Sequence, residues 1–203
     1  LISERSIENE RNAHAEKVNL FIEEVMQEAG LPMMSIDAVA VGLGPGSYTG
    51  SRIGLSVAKG LCYALEKPIL GVSTLITLLE SARSGGASLT GACWPMIDAR
   101  RMEVFTQGFT AEGSPMLEER PLVLDEQWAK DAGHAFVFGD GADKATSIWQ
   151  LAPNIKHIPA VKPYARHMLA VAERRIAAKR FDDLAYLVPS YGKGANLTKS
   201  RPR

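Results

Sequence analysis

"GLGPGSYTGSRIG", residues 42–54, sets five glycines and a proline among five hydroxyl, phenol or guanidinium side chains. It lies between two segments of opposite texture. Upstream, IDAVAVGLG is a short, almost unbroken apolar run, as expected of a strand buried on both faces in a parallel sheet. Downstream, small and apolar residues predict a helix from about Thr49 to Leu65. Glycine loops between a strand and a helix often cradle a phosphate, because backbone N–H groups and the helix N-terminus converge on an anion. The loop residues Gly44, Pro45, Gly46, Ser47, Thr49 and Gly50 fit that use poorly. Counting the Walker spacing from Gly44 puts Thr49 where the second glycine belongs, and the next lysine is Lys59. In the dinucleotide pattern Thr49 takes the third glycine's place and Gly50 comes one residue late. Pro45 also removes an N–H from the loop. Two readings remain: a tight turn into a helix capped by Ser47 or Thr49, and a nucleotide-binding module using Gly44 to Gly50.

Working outward, strand and helix patterns alternate. LISERSI (1–7) reads as a strand and His14 to Ala29 as a helix, with Val18, Phe21, Ile22, Val25 and Met26 at helical spacing. After the loop and its helix, PILGVS reads as a strand and TLITLLESA as a helix, an α/β unit with right-handed crossovers. The break SARSGGAS follows, and then ACWPMIDA, RMEVFTQGFT and PMLEERPLVL predict an antiparallel meander. A short helix (DEQWAKDAG), a strand (HAFVFGDG), a helix over ADKATSIWQLA capped near Asp140, and a last helix from Tyr164 to Lys179 complete the order. The last helix is expected to bury Met168, Leu169, Ala172 and Ile176 and to turn Arg166, Arg174 and Arg175 outward. Two α/β lobes are expected, residues 1–97 and 98–203.

Composition narrows the function classes. The chain has 203 residues, 46% hydrophobic, enough for a real core. Lys and Arg total 23 against 23 Asp and Glu, so no global field draws it to nucleic acid or membrane. The end YGKGANLTKSRPR carries Lys193, Lys199, Arg201 and Arg203 without an acid and reads as a flexible basic tail. Cys62 and Cys93 lie among apolar neighbours and suggest neither a disulfide framework nor a zinc site, in keeping with a reducing cytoplasm. No apolar run is long enough to span a bilayer. Residue 1 is Leu, so the chain is expected to begin inside a longer gene product. His14, His134, His157 and His167 are scattered without ligand spacing, and no nucleophile–base cluster is evident. Arg100 and Arg101 beside Asp98 and Glu103 suggest an ion-pair cluster near the lobe junction.

The helix after the loop is apolar nearly all round. Gly50, Gly54, Ala58 and Leu61 share one face, while Ile53, Val57, Gly60 and Ala64 lie on a neighbouring one. Such a helix must be covered on several sides, and its small residues allow close helix approach. The helix from His14 is its natural neighbour, and any exposed remainder makes a dimer or partner surface. The candidate interface is therefore His14, Val18, Ile22, Gly50, Ile53, Gly54, Val57, Ala58 and Leu61.

AVGLGPGSYTGSRIGLSVAKGLCYAL, followed by PILGVSTL and MIDARRMEVF, closely resembles the bacterial TsaB family, also called YeaZ. HAE at 14–16, FGDGADK and VPSY agree with it in order and spacing. The resemblance implies an actin-like, Hsp70-like ATPase fold of two ribonuclease-H-like lobes, with the first lobe's N-terminal strands missing from this chain. It implies a non-catalytic scaffold in threonylcarbamoylation of the tRNA adenosine next to the anticodon. The implied partners are the catalytic paralogue TsaD and the ATPase TsaE, with a homodimer in isolation and tRNA contact only within the complex. That paralogue carries two metal-binding histidines four apart on the helix where this chain has Thr74 and Leu78, so neither metal nor cofactor is expected here. The turn after Asp98 continues with Ala99 and Arg100 and lacks the glycine of a phosphate turn. A metal-dependent ATPase or glycopeptidase-like enzyme of the same fold is the enzymatic alternative.

Overall fold

The computed structural model describes residues 1–7 and 13–191. The first helix, α1, spans Ala13–Ala29 and ends where Gly30, at φ +66°, turns the chain and Leu31 N–H returns to Met26 O at 3.2 Å. Strand β1 (Val39–Gly44) leads through the glycine loop into helix α2 (Tyr48–Leu65), and β2 (Ile69–Ser73) leads into α3 (Thr74–Ser84). β1 and β2 pair in parallel, Val39 opposite Ile69, as a two-stranded sheet.

The second sheet has five strands. These are β3 (Ala92–Asp98), β4 (Glu103–Thr106), β5 (Arg120–Val123), β6 (Ala135–Phe138) and β7 (Ile155–Ile158), in the order β5-β4-β3-β6-β7. The first three form the expected antiparallel meander, and β6 and β7 extend it in parallel from β3. Between them lie α4 (Glu126–Asp131), α5 (Asp140–Asp143) and α6 (Thr146–Trp149), and α7 (Leu169–Ala177) follows a 3-10 turn at Ala165–Met168.

Three apolar clusters hold these layers together. On one face of the large sheet, Met96, Val104 and Val137 pack with Trp149, and Trp128 meets the Trp94 ring edge-on at 5.3 Å. On the other face, Leu75, Leu78 and Leu79 of α3 pack against Ile97, Phe109 and Phe138. The small sheet is covered by α2 through Leu55, Ala58 and Cys62. Burying a large apolar side chain contributes about 1.5–3 kcal/mol, so α3, with Leu75 and Leu78 both fully buried, is a principal tie in the molecule.

Several expectations are corrected. Residues 1–7 form no strand; Arg5 instead pairs with Glu24 and Glu28 of α1, at 2.9 and 2.6 Å, and Glu4 with Arg166 at 2.7 Å. The helix over 142–152 is split into α5 and α6, and it begins after Gly139, because the Asp140 carboxylate accepts Asp98 N–H at 2.9 Å instead of capping. The IKHI strand at 155–158 had no expectation: four residues with alternate polarity give a weak period, and pairing with β6 decides them. In the last helix Ala172 is buried, but Leu169 and Ile176 are exposed. Arg175 turns inward, donating to Gly71 O at 2.8 Å and pairing with Asp182 at 3.0 Å. The chain then returns to the first sheet: Asp182 N–H bonds Ile69 O at 3.0 Å, and Ser190 N–H bonds Leu43 O at 2.8 Å. The basic tail beyond Tyr191 lies outside the described residues, as does the side chain of His14.

Candidate functional site: a closed glycine turn and an open helical groove

The glycine loop is built from both ends. Ser47 Oγ accepts Gly50 N–H at 3.1 Å, so Ser47 is the N-cap of α2, while Thr49 is exposed. Pro45 is fully buried and follows a cis peptide bond. Gly44, at φ +101°, faces Ser190: a Cβ placed on it would lie 2.6 Å from Ser190 O. Ser190 Oγ donates to Glu119 at 2.7 Å, so one serine ties the first sheet's loop to the approach to β5. What packs closely on the loop is thus the chain's own segment 182–191. On its other side Gly46, Ser47 and Gly50 line a cleft of about 530 Å³ with Thr74, Asp140 and Met168.

One exposed face of α2 joins that segment. The Arg52 guanidinium stacks 4.0 Å from the Tyr48 ring centre, and its Nε donates to the Tyr191 hydroxyl at 3.0 Å. Lys59 Nζ reaches Ala185 O at 3.0 Å.

The opposite side of α2 faces α1 across a groove of about 480 Å³. Val18, Ile22, Val25 and Met26 of α1 form one wall and Gly54, Val57 and Leu61 of α2 the other, with Val39 to Gly42 as floor. Of the expected interface residues, Val18, Ile22, Gly54, Val57 and Leu61 are half-buried in the groove; Ile53 is half-buried but does not line it, and Gly50 lines the cleft at the helix start beside its cap. Ala58 is 4% exposed and packs into the core with Val41 and Ile69. Leu20 of α1 stays 49% exposed.

At the end of β3 Asp98 finds a cation the sequence did not assign. Lys144 Nζ bonds its carboxylate and also donates to Glu103 O at 2.6 Å, while Arg100 contributes its backbone N–H at 2.7 Å. Arg100 and Arg101 instead form the turn itself, at φ +74° and +51°. Burial pushes the Asp98 carboxyl up, but the Lys144 and Arg100 hydrogen bonds and charges outweigh it and hold the pKa below the usual range. Among the histidines, His157 pairs with Asp143 at 2.8 Å, His134 packs on Phe136, and His167 packs on Tyr164. Among the described residues no group of three His, Cys, Asp or Glu side chains is placed to hold a metal ion. No helix among them is long and apolar enough to cross a membrane.

Ser190, Asp182 and Lys144 are the residues sequence reasoning missed. VPSY stood out as a motif, but nothing local to it names a partner 147 positions upstream.

The architecture defines a two-sheet α/β protein whose glycine turn is packed against its own returning chain and whose first two helices present an apolar groove. A family profile described as "TsaD: tRNA N6-adenosine threonylcarbamoyltransferase" matches residues 5–120. The chain is 33% identical over 204 residues to the tRNA threonylcarbamoyladenosine biosynthesis protein TsaB of Haemophilus influenzae, covering 95% of this chain and 85% of that one. The Escherichia coli protein of the same name is 28% identical over 205 residues, covering 93% and 84%. A crystal structure of a Pseudomonas aeruginosa protein, described as similar to the peptidase YeaZ, superposes with a TM-score of 0.72 at 27% identity, covering 90% and 85%. The chain belongs to the TsaB (YeaZ) family.

Proposed function

We propose that this chain is the non-catalytic partner subunit of a tRNA threonylcarbamoyladenosine-modifying assembly, pairing through α1 and α2 with TsaD. The observation that carries the reading is the groove of about 480 Å³ between these helices, whose apolar walls are left half-open in the single chain. Helices from a second subunit would insert their side chains there and form a four-helix contact; a second copy of this chain competes for the same surface. TsaE joins the larger assembly, and tRNA is contacted within it, in the cytoplasm.

The strand order β5-β4-β3-β6-β7, an antiparallel meander extended by two parallel strands, supports a ribonuclease-H-like second lobe within an actin-like fold. The lobe division falls before β3 rather than at residue 98, because β3 is the central strand of the five-stranded sheet, and the segment after Asp182 returns to the first sheet. A scaffold role is supported by Leu78, fully buried in an apolar cluster at a place where the catalytic paralogue carries a metal ligand. It is supported too by Lys144, whose ammonium already satisfies Asp98.

Light scattering coupled to size-exclusion chromatography tests this, on the chain alone and mixed with TsaD. A one-to-one complex that displaces any homodimer is expected. Persistence of two separate species in the mixture would overturn the reading.

A further inference from the structure

Four arginines from two distant stretches of chain converge on a second cleft. Arg83 near the end of α3, Arg174 and Arg175 on α7, and Arg180 just beyond it line a cavity of about 590 Å³. Two carboxylates, Glu80 and Glu112, face them. Glu80 is shared, its Oε1 lying 3.3 Å from Arg83 Nη1 and 3.5 Å from Arg174 Nη2. With Asp182 paired to Arg175 as well, four guanidinium charges stand against three carboxylates and leave the cleft with one net positive charge in a chain whose net charge is zero.

Two of the arginines are held in place. Arg83 donates to Ala111 O at 2.6 Å and lies over Gly113, at φ +91°, where a Cβ would stand 2.7 Å from its Nη1. Arg175 is fixed by Gly71 O at 2.8 Å, Arg180 O at 3.2 Å and Asp182 at 3.0 Å. Arg174, 64% exposed, and the exposed Arg180 stand at the mouth. Guanidinium groups match phosphate oxygens bidentately, and donors ordered beforehand lose little freedom on binding.

We propose that this cleft binds phosphate groups and that its occupant is the backbone of an RNA. An open trough edged by several arginines suits a run of phosphates better than one enclosed anion. The phosphate chemistry stands on the arginines alone; the choice of RNA rests on the tRNA-modification reading above. No residue lines both this cleft and the α1–α2 groove, so filling one does not fill the other.

The test is fluorescence anisotropy of labelled tRNA titrated with the protein, alone and in complex with TsaD, at several salt concentrations. The Arg174→Glu/Arg180→Glu variant is compared with Lys130→Glu/Lys156→Glu, equal in charge change and placed on α4 and β7. The arginine variant is expected to lose at least about tenfold in affinity, with the log–log salt slope falling by roughly two, while the lysine variant stays within about twofold. Equal losses in both variants, or none in the arginine variant, would overturn the site. Calorimetry with pyrophosphate separates the sources: pyrophosphate binding lost in the arginine variant with tRNA affinity unchanged would overturn RNA as the occupant. Chromatography with TsaD is expected to give an intact complex with both the unaltered chain and the arginine variant, so failed pairing of the unaltered chain counts against the scaffold reading, and unchanged RNA binding by the arginine variant counts against the cleft.

Discussion

The carbonyl oxygen of Ser190 stands over the α-carbon of Gly44, 2.6 Å from where a side chain's first carbon would lie, and Ser190 N–H bonds Leu43 O at 2.8 Å. A loop that resembles an anion cradle is thus packed against a distant part of its own chain. Gly44→Ala meets both this carbonyl and a φ of +101°, and we expect it to destabilise by about 1–3 kcal/mol. Gly60→Ala, in α2 with no atom within 4 Å of the added carbon, should instead stabilise by about 0.5–1 kcal/mol. Thermal unfolding of the two variants reads both signs, and a neutral Gly44→Ala would remove the close approach as the reason for that glycine.

Pairing and folding separate at two positions of the helical groove. Ile22→Glu, on a helix with no fully buried described residue, is expected to abolish association with TsaD while leaving the melting temperature within a few degrees. Ala58→Glu puts a charge into a site only 4% exposed and should unfold the first sheet's core, an uncompensated buried charge costing several kcal/mol. Circular dichroism and light scattering on both variants distinguish the outcomes.

Acid should weaken the fold in two stages. Burial, then the Arg166 charge, hold His167 below its ordinary 6.5, and Asp98 is held below its ordinary 3.8. In both cases the folded protein binds fewer protons than the unfolded chain, so stability rises with pH across each window. The His167 contribution is full above about 6.5 and disappears as pH falls through its folded value; that of Asp98 follows the same course below about 3.8. Urea midpoints from pH 8 to 3 should fall in that order, and His167→Gln should erase the first stage alone.

Neither cysteine should react in the native protein. Cys93 is fully buried, and burial pushes its thiol up to about 11; burial raises Cys62 also. A thiol-reactive chromogenic disulfide is expected to titrate both groups only in denaturant. Fast modification of either in native buffer would contradict the packing around β1 or β3.

Much of the architecture was legible because its signals are local. The apolar run before the loop, the Ser47 cap and the periodicity of Val18, Ile22, Val25 and Met26 each lie within a few residues, and β1, α2 and α1 appear where these patterns place them. The groove was legible to the same degree, since Gly54, Val57 and Leu61 follow helical spacing. Ala58 also lines the groove but is 4% exposed and packs into the core beneath it, a distinction from its neighbours that burial rather than sequence makes.

By itself, then, the sequence determined the alternation of strands and helices, the turn at Gly44 to Ser47 and the amphipathic surfaces of α1 and α2, because each depends on interactions along a few turns of chain. Only the tertiary structure decided that Ser190 packs over the loop, that Lys144 rather than Arg100 or Arg101 neutralises Asp98, that residues 155–158 form a strand, and that four arginines share one cleft. These depend on groups tens to more than a hundred residues apart, brought into contact by burial of the apolar clusters on the faces of the two sheets. The desolvation that makes such contacts selective arises only once those clusters have formed.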